Sequence, residues 1–226
     1  MKELIEFFTA LSLHNEKSWF DAHRAEYNRV RSSFQTFVEG LIDGISSFDP
    51  SINGLKVSDC TFRINRDLRF SADKSPYKTH TGAYIAPHGK KADYAGYYFH
   101  IEPTAEGTMW RSQLSAGLYM PDSILLHSVR DEIFDNGTEV MQAIGEAEGF
   151  VLNDENVLKR TPKGYPPESE FDGLLRHKDF FLQRSISTDF LLDPQLLEHT
   201  ISEFRKTKHF IDLLNRAVQY AHEEMM

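Results

Sequence analysis

The chain has 226 residues, of which 40% are hydrophobic and 26% are charged. These proportions exclude a disordered, collagen-like or coiled-coil chain, and the length allows one large domain. The only cysteine, Cys60, excludes an intramolecular disulfide and a cysteine-based zinc site. No apolar run is long enough to span a membrane, and Glu3 and Glu6 interrupt the stretch that a secretory signal would keep apolar. We therefore expect a cytoplasmic protein that does not act at a membrane.

Charge is distributed unevenly along the chain. The net charge is −9, which argues against general affinity for nucleic acid. Residues 56–91, however, hold eight lysines and arginines against three aspartates, a net charge of +5 that leaves −14 for the rest. A basic segment in an acidic protein predicts a local anion site. The alternative is a solvated surface or a network of ion pairs.

Helices are predicted for residues 2–48. Apolar residues recur there at the spacing of one helix face, with a break at His14-Asn15. The segment is expected to end at Asp49-Pro50, because a residue that precedes proline disfavours the helical region.

Residues 56–118 change to the alternating period of strands. Apolar and polar residues alternate from Phe62 to Phe70, which predicts a strand with one buried face. Three further strands are expected at 79–87, 94–103 and 108–118, with a hairpin turn at 104–107. The connections are short, and only antiparallel strands can be joined this way. We expect an antiparallel meander over about residues 57–118.

The helical period returns after residue 121. Asp122 is a suitable helix cap, and Asn136-Gly137 is expected to stop that helix. A short strand is expected near 150–152. Asp193-Pro194 is a good helix start, from which the chain reads as helical to about residue 222, with a break near Lys208. Helices 2–48, the sheet, and helices and loops over 121–226 together predict a single α+β domain across residues 1–226.

The predicted strand from Phe62 to Phe70 carries most of the candidate site. Its alternation places Arg63, Asp67 and Arg69 on the polar face and Arg66 on the apolar face. A buried arginine needs a carboxylate or a bound anion as its partner, unless a bulge turns it outward.

Guanidinium and ammonium groups bind phosphate or carboxylate, so seven residues of this region are predicted to bind an anionic ligand. They are Arg63, Arg66, Arg69, Lys74, Tyr77, Lys78 and His80.

Tyr98, His100 and Glu102 share one face of a later strand. Asp67, His100 and Glu102 are the candidate acids or bases for hydrolytic or transfer chemistry. His100 and Glu102, with His80 or Asp67, could instead ligate a metal, but a structural histidine is the more ordinary interpretation and no metal site is predicted. The cofactor stays unassigned.

Several longer segments are distinctive together. The most distinctive is FRINRDLRFSADKSPYKTH, residues 62–80. The others are YYFHIEP, the turn at 118–121, LKRTPKGYPP, LLRHKDF, and Asn15 with Trp19-Phe20. With these segments the chain resembles a bacterial and fungal family known as domain of unknown function 2461. The similarity covers nearly the whole chain, although Leu114-Ser115-Ala116-Gly117 stands where the family is expected to be richer in glycine. The resemblance implies membership and no activity.

Three hypotheses follow. The first is a small anionic ligand bound at the basic residues, with possible chemistry at Asp67, His100 or Glu102. The second is an interaction module for a protein or, less favoured, a nucleic acid. The third is an internal network in which Arg66 pairs with Asp67 or Asp73 and fixes the loop.

Overall fold

The structure is a computed structural model that describes residues 1–103 and 111–225. Its longer helices are α1 (Lys2–Leu13), α2 (Lys17–Ala22), α3 (Arg24–Ser46), α5 (Ser123–Glu146), α8 (Leu196–Lys206) and α9 (Lys208–Glu224). Shorter helices are α4 (Val57–Cys60), α6 (Asp172–Leu175) and α7 (Thr188–Leu192). The strands are β1 (Thr81–Ile85), β2 (Gly96–Ile101), β3 (Gln113–Leu118), β4 (Val151–Leu152) and β5 (Phe180–Ser185). The fold is α+β.

The first 48 residues are helical, as predicted. The break at His14-Asn15 separates α1 from α2, and Asn15 then leaves the helix to bond elsewhere: its amide donates to the Tyr77 carbonyl at 2.9 Å and accepts from the Tyr77 N–H at 3.1 Å. The long helix α3 ends at Ser46, and the Asp49 carboxylate accepts from the Ser51 N–H to begin a single turn of 3₁₀ helix. Both predicted breaks are therefore confirmed.

The sheet has the strand order β1-β2-β3-β5-β4, and each neighbouring pair is antiparallel. The meander β1-β2-β3 is confirmed, with strands shorter than predicted, and so is the short strand near residue 151. The predicted turn at 104–107 lies outside the described residues. The strand β5 was not predicted, because it pairs with β3 from more than sixty residues away and no local turn announces it.

The predicted strand from Phe62 to Phe70 is wrong. Residues just before it form the helix α4, and the one backbone bridge from this part of the described chain to the sheet, Thr61 with Ala83, precedes the segment. The chain instead folds back on itself: the Arg66 N–H donates to the Pro76 carbonyl at 3.0 Å, and the Lys78 N–H donates to the Ile64 carbonyl at 2.8 Å. These bonds replace a ladder against β1, so the alternation of side chains does not produce a sheet face.

One face of the sheet is covered by helices. Phe99 of β2 packs on Phe37 of α3 with ring centroids 4.9 Å apart, and Tyr97 packs on Phe204 of α8 at 5.4 Å. The core is one cluster of buried residues that extends from Leu4 to Ala221. The opposite face of the sheet is only partly covered, and the candidate sites lie there and at its β1 edge.

Helix α5 differs from the prediction at Asn136-Gly137. The helix does not stop but continues through a kink at Asn136, whose backbone is non-helical. Gly137 is required by close packing, since a Cβ there would lie 2.4 Å from the ring of Phe171. Asp122 caps the helix as predicted, and the break near Lys208 is confirmed at Thr207. Within the described residues no helix is both long and apolar enough to cross a membrane.

Candidate functional site

A cavity of about 190 Å³ lies between the amino-terminal helices and the start of β1. Three cations line it: Arg31 from α3, Arg63 from the segment after α4, and Lys78 just before β1. No Asp or Glu is among the described residues that line this cavity, although the whole chain is acidic. We call it the cationic cavity. Such a concentration of one charge, without a carboxylate to balance it, creates a local positive potential.

The three cations are also free of ion pairs in the described part of the chain. No hydrogen bond or salt bridge within it engages the charged groups of Arg31, Arg63 or Lys78, and Lys78 only lies over the ring of Phe62, with Nζ 5.5 Å from the centroid. Of these residues, Arg63 and Lys78 were predicted from the sequence and Arg31 was not. The missed signal is the pair Arg31 and Gln35, four residues apart on α3 and therefore on one face beside the apolar stripe.

The inner wall of the cationic cavity is apolar. Leu4 and Phe8 of α1 and Val30 and Phe34 of α3 line it, and each of them is almost fully buried. The cavity therefore combines a cationic side with a hydrophobic one, which suits a ligand that carries an anionic group on an apolar body.

Burial changes the titration of two further residues at this cavity. It lowers the pKa of Lys78, and the neighbouring Arg63 charge lowers it further. Burial, with a smaller effect of His100, lowers the pKa of His80 to about 4. His80 is therefore neutral near pH 7 and adds no positive charge, whereas it can offer one hydrogen-bond donor and one acceptor.

Beside the cavity, three polar side chains of β2 and its end form a continuous line. The Tyr98 hydroxyl lies 2.9 Å from Nδ1 of His100, and Nε2 of His100 lies 3.1 Å from a carboxylate oxygen of Glu102. Arg111 donates from Nη1 to the other Glu102 oxygen at 2.9 Å. The rings of His80 and His100 are 5.1 Å apart. The predicted residues His80, His100 and Glu102 thus do converge.

These contacts assign the protons. Glu102 bonds to His100 and Arg111, and the His100 bond is the main reason that its pKa is lowered to about 2. An ionised Glu102 only accepts, so Nε2 of His100 carries a proton, and in the neutral ring Nδ1 accepts from the Tyr98 hydroxyl. Burial, followed by the Glu102 charge, raises the pKa of Tyr98 to about 12, so the phenol stays protonated.

Gly82 makes room for this line. It pairs with His100 across β1 and β2, and a Cβ at this position would lie 2.7 Å from the Phe99 carbonyl oxygen and 3.0 Å from the Tyr98 hydroxyl. A side chain here would displace Tyr98, which, like Phe62, lines both the cationic cavity and the open face of the sheet.

Three of the predicted cations form their hydrogen bonds within the loop from Asn65 to Tyr77. Arg66 bonds to Asp73, to the Ser71 hydroxyl and to the Ser75 carbonyl. Arg69 forms a two-pronged pair with Asp67, and Lys74 donates to the Leu68 carbonyl at 3.1 Å. Neither the cationic cavity nor the open face of the sheet is lined by these three cations or by Asp67.

Tyr77 is buried against Phe20, with ring centroids 4.0 Å apart. It lines neither the cationic cavity nor the open sheet face, and Asn15 holds its backbone. The residue therefore anchors the end of the loop on helix α2. Cys60 is also buried, and burial raises its pKa to about 11, so the thiol is unsuited to act as a nucleophile at neutral pH. In residues 1–103 and 111–225 no group of three His, Cys, Asp or Glu side chains is placed to hold a metal ion.

Comparison with known proteins gives a family and no activity. Residues 3–213 match the family model described as "Conserved hypothetical protein (DUF2461)", which is nearly the full length of the chain. No curated protein and no solved structure matches the sequence. The arrangement of the site is therefore the only guide to its chemistry, and the chain belongs to the DUF2461 family of conserved hypothetical proteins.

Proposed function

We propose that this protein binds a small molecule bearing a phosphate or carboxylate group in the cationic cavity. The observation that carries the proposal is that Arg31, Arg63 and Lys78 line one cavity without a carboxylate among its described lining residues. Arginine binds both anions through two parallel hydrogen bonds, and a partly desolvated lysine gains from a nearby negative charge. The apolar wall favours an anion attached to an aliphatic or aromatic body.

The test compares variants that remove a cation from the cavity with variants that remove one from the loop. Arg63→Met and Lys78→Met should weaken the binding of phenyl phosphate at least tenfold, measured by calorimetric titration, because each removes an unpaired charge at the ligand. Arg69→Met and Lys74→Met are matched controls and should leave the affinity unchanged, since those side chains bond within the loop.

Phenyl phosphate should bind more tightly than inorganic phosphate if the apolar wall contributes. A ligand at about one hundred times its dissociation constant stabilises the folded state by about 2.7 kcal/mol, so thermal shifts of several degrees should accompany binding. Equal affinity of the loop variants and the cavity variants would contradict the proposal, and so would no binding of phosphate, phenyl phosphate or benzoate to the wild-type protein.

We further propose hydrolytic or transfer chemistry at Tyr98, on the observation that a hydroxyl, an imidazole and a carboxylate lie in one hydrogen-bonded line. A ligand hydroxyl or a water can pass a proton to the Tyr98 oxygen as the Tyr98 proton moves to Nδ1 of His100. Glu102 then stabilises the imidazolium through Nε2. Asp67, which is held by Arg69 in the loop, is not part of this line.

The chemistry is tested with chromogenic phosphate and carboxylate esters. His100→Gln and Glu102→Gln should lower kcat at least a hundredfold while leaving the dissociation constant of phenyl phosphate within about threefold, because neither side chain lines the cationic cavity. Equal turnover by wild-type protein and His100→Gln would overturn the catalytic proposal without affecting the binding proposal.

A further inference from the structure

The open face of the sheet forms a groove of about 930 Å³, larger than the cationic cavity and on the side that the helices α3 and α8 do not cover. Strand pairing determines which side chains form its floor. In one row across the sheet, His100 of β2 pairs with Gln113 of β3, which pairs with Ser185 of β5. This row and the next one define the chemistry of the groove.

The next row runs through the centre of the floor. Tyr84 of β1 pairs with Tyr98 of β2, Tyr98 with Ser115 of β3, and Ser115 with Gln183 of β5. All of these side chains are polar and uncharged, and all of them line the groove. Hydroxyl and amide groups can act as both donors and acceptors, so this floor matches a ligand surface on which each group also does both.

Among the residues that the structure describes, the charged ones that line the groove lie at its two ends. Glu102 and Arg111 lie where β2 ends and β3 begins, whereas Lys90 and Asp93 lie in the connection between β1 and β2 at the opposite end. Glu155, beyond β4, lies at that same opposite end, because β4 runs antiparallel to β5. The central floor therefore offers no charge to a ligand.

Three polar side chains of the floor have unused hydrogen-bonding capacity. The Ser115 hydroxyl is buried, the residue being 5% exposed, and it has no hydrogen-bond partner in the described part of the chain. The amides of Gln113, two residues earlier on β3, and of Gln183, its partner on β5, likewise make no hydrogen bond to the described residues. A buried hydroxyl without a partner costs free energy, and a ligand that bonds to it removes that cost.

Aromatic rings rise at the edge of this polar floor. Tyr119 follows β3, is 67% exposed and packs against the ring of Phe181 at 5.8 Å. At the other side Phe62 is 46% exposed and stands edge-on to Tyr98. Exposed aromatic faces beside hydroxyl and amide groups suit a ligand whose rings have an apolar face and a hydroxylated rim.

We propose that the groove binds a neutral, hydroxyl-rich ligand, a short saccharide chain, through Ser115, Gln113 and Gln183, with Tyr119 stacked against a sugar ring. A nucleic acid would require cations along its length, and the central floor has none. An extended peptide would add to a sheet edge through its backbone, whereas this groove lies on a sheet face.

This proposal does not depend on the proposed anion site. Of the described residues, only Phe62 and Tyr98 line both cavities. A variant of the groove and a variant of the cationic cavity therefore report on separate sites, and either proposal can fail alone.

The test is a binding screen of the full chain by saturation-transfer NMR. The probes are maltohexaose, cellohexaose, xylohexaose and chitohexaose at millimolar concentration, with adenosine and a neutral hexapeptide as the other arms. At least one hexasaccharide should bind, and titration should then show a loss of affinity of at least fivefold in Ser115→Ala and in Gln183→Ala.

Ser115→Ala separates binding from folding. Because the hydroxyl has no partner in the described structure, its removal should not lower the thermal midpoint, although it weakens saccharide binding. Tyr119→Ala should weaken binding as well, and Tyr220→Ala, which removes another exposed tyrosine from α9, should not. The proposal would be overturned if no hexasaccharide binds, or if only adenosine or the peptide binds. It would also be overturned if Ser115→Ala and Gln183→Ala leave the affinity for the saccharide unchanged.

Discussion

At the scale of single residues, His80 shows how position changes chemistry. Its predicted role was to help bind an anion, which would favour a positive charge. The structure places it at the cationic cavity, but burial lowers its pKa to about 4 from an ordinary value of 6.5. His80 therefore acts near neutral pH as an uncharged hydrogen-bonding group, a property that residue type alone does not show.

This shift predicts a pH dependence of stability. Between pH 6.5 and about 4 the unfolded chain binds a proton at His80 that the folded chain does not, so the free energy of unfolding falls as the pH falls. The ring is partly buried, and we expect this group to contribute about 1–2 kcal/mol over that interval. His80→Asn should flatten the difference between urea unfolding curves measured at pH 7 and pH 5.

Glu102 affects stability at a lower pH than His80 does, so the two contributions can be measured separately. Its pKa is lowered to about 2, so its stabilising contribution is present above pH 4.5 and is lost as the pH falls from there. The free energy of unfolding could differ between pH 7 and pH 5 as much in His80→Asn as in the wild-type protein. That result would contradict the assignment of a buried neutral ring at His80.

At the scale of elements, the conformation of the loop from Asn65 to Tyr77 was not predicted from the sequence. Its alternating residues suggested a strand, yet its backbone bonds run across the loop, and Asn15 closes one end. That long-range amide contact joins residues 62 positions apart, so no local pattern could show it. The alternative that Arg66 pairs with Asp73 agrees with the geometry.

Asp73 should therefore stabilise the loop while Asp67 should not. The Asp73 carboxylate accepts hydrogen bonds from Arg66 and from the Ser75 N–H and hydroxyl. Asp73→Asn replaces this carboxylate with a neutral amide and so weakens those bonds. Hydrogen exchange of the amides from Arg66 to Ser75 should accelerate about three- to tenfold, with little change in global stability, because the Asp73 side chain is 61% exposed. Asp67→Asn, which loses only its pair with Arg69, is the matched control. Equal exchange in both variants would contradict a role for Asp73 in holding the loop.

At the scale of the whole molecule, the sequence supported the order of helices, meander and helices, because each of those segments has its own local period. The strand β5 and the uncovered sheet face depended on a pairing of β3 with distant residues. Arg31, Gln113, Ser115 and Gln183 were missed because each lies in an otherwise ordinary helix or strand. Arg63, Lys78 and His80 were identified because they lie in one polar segment, and His100 and Glu102 because they share a face of a later strand.

The net negative charge of the protein also affects how an anion can bind. With a net charge of −9, anions are not drawn to the surface in general, so specific binding must come from the local excess of cations at Arg31, Arg63 and Lys78. The central claim is that these three residues, rather than the cations of the loop, form the binding site.

The most direct measurement is a titration of the isotope-labelled protein with phenyl phosphate, followed by amide chemical shifts. We expect saturable shifts at Arg31, Arg63 and Lys78 that are abolished in Arg63→Met. We expect little change at Arg69 and Lys74, whose cationic groups are already bonded within the loop. Shifts centred on residues 66–75, or a linear response without saturation, would contradict binding in the cationic cavity.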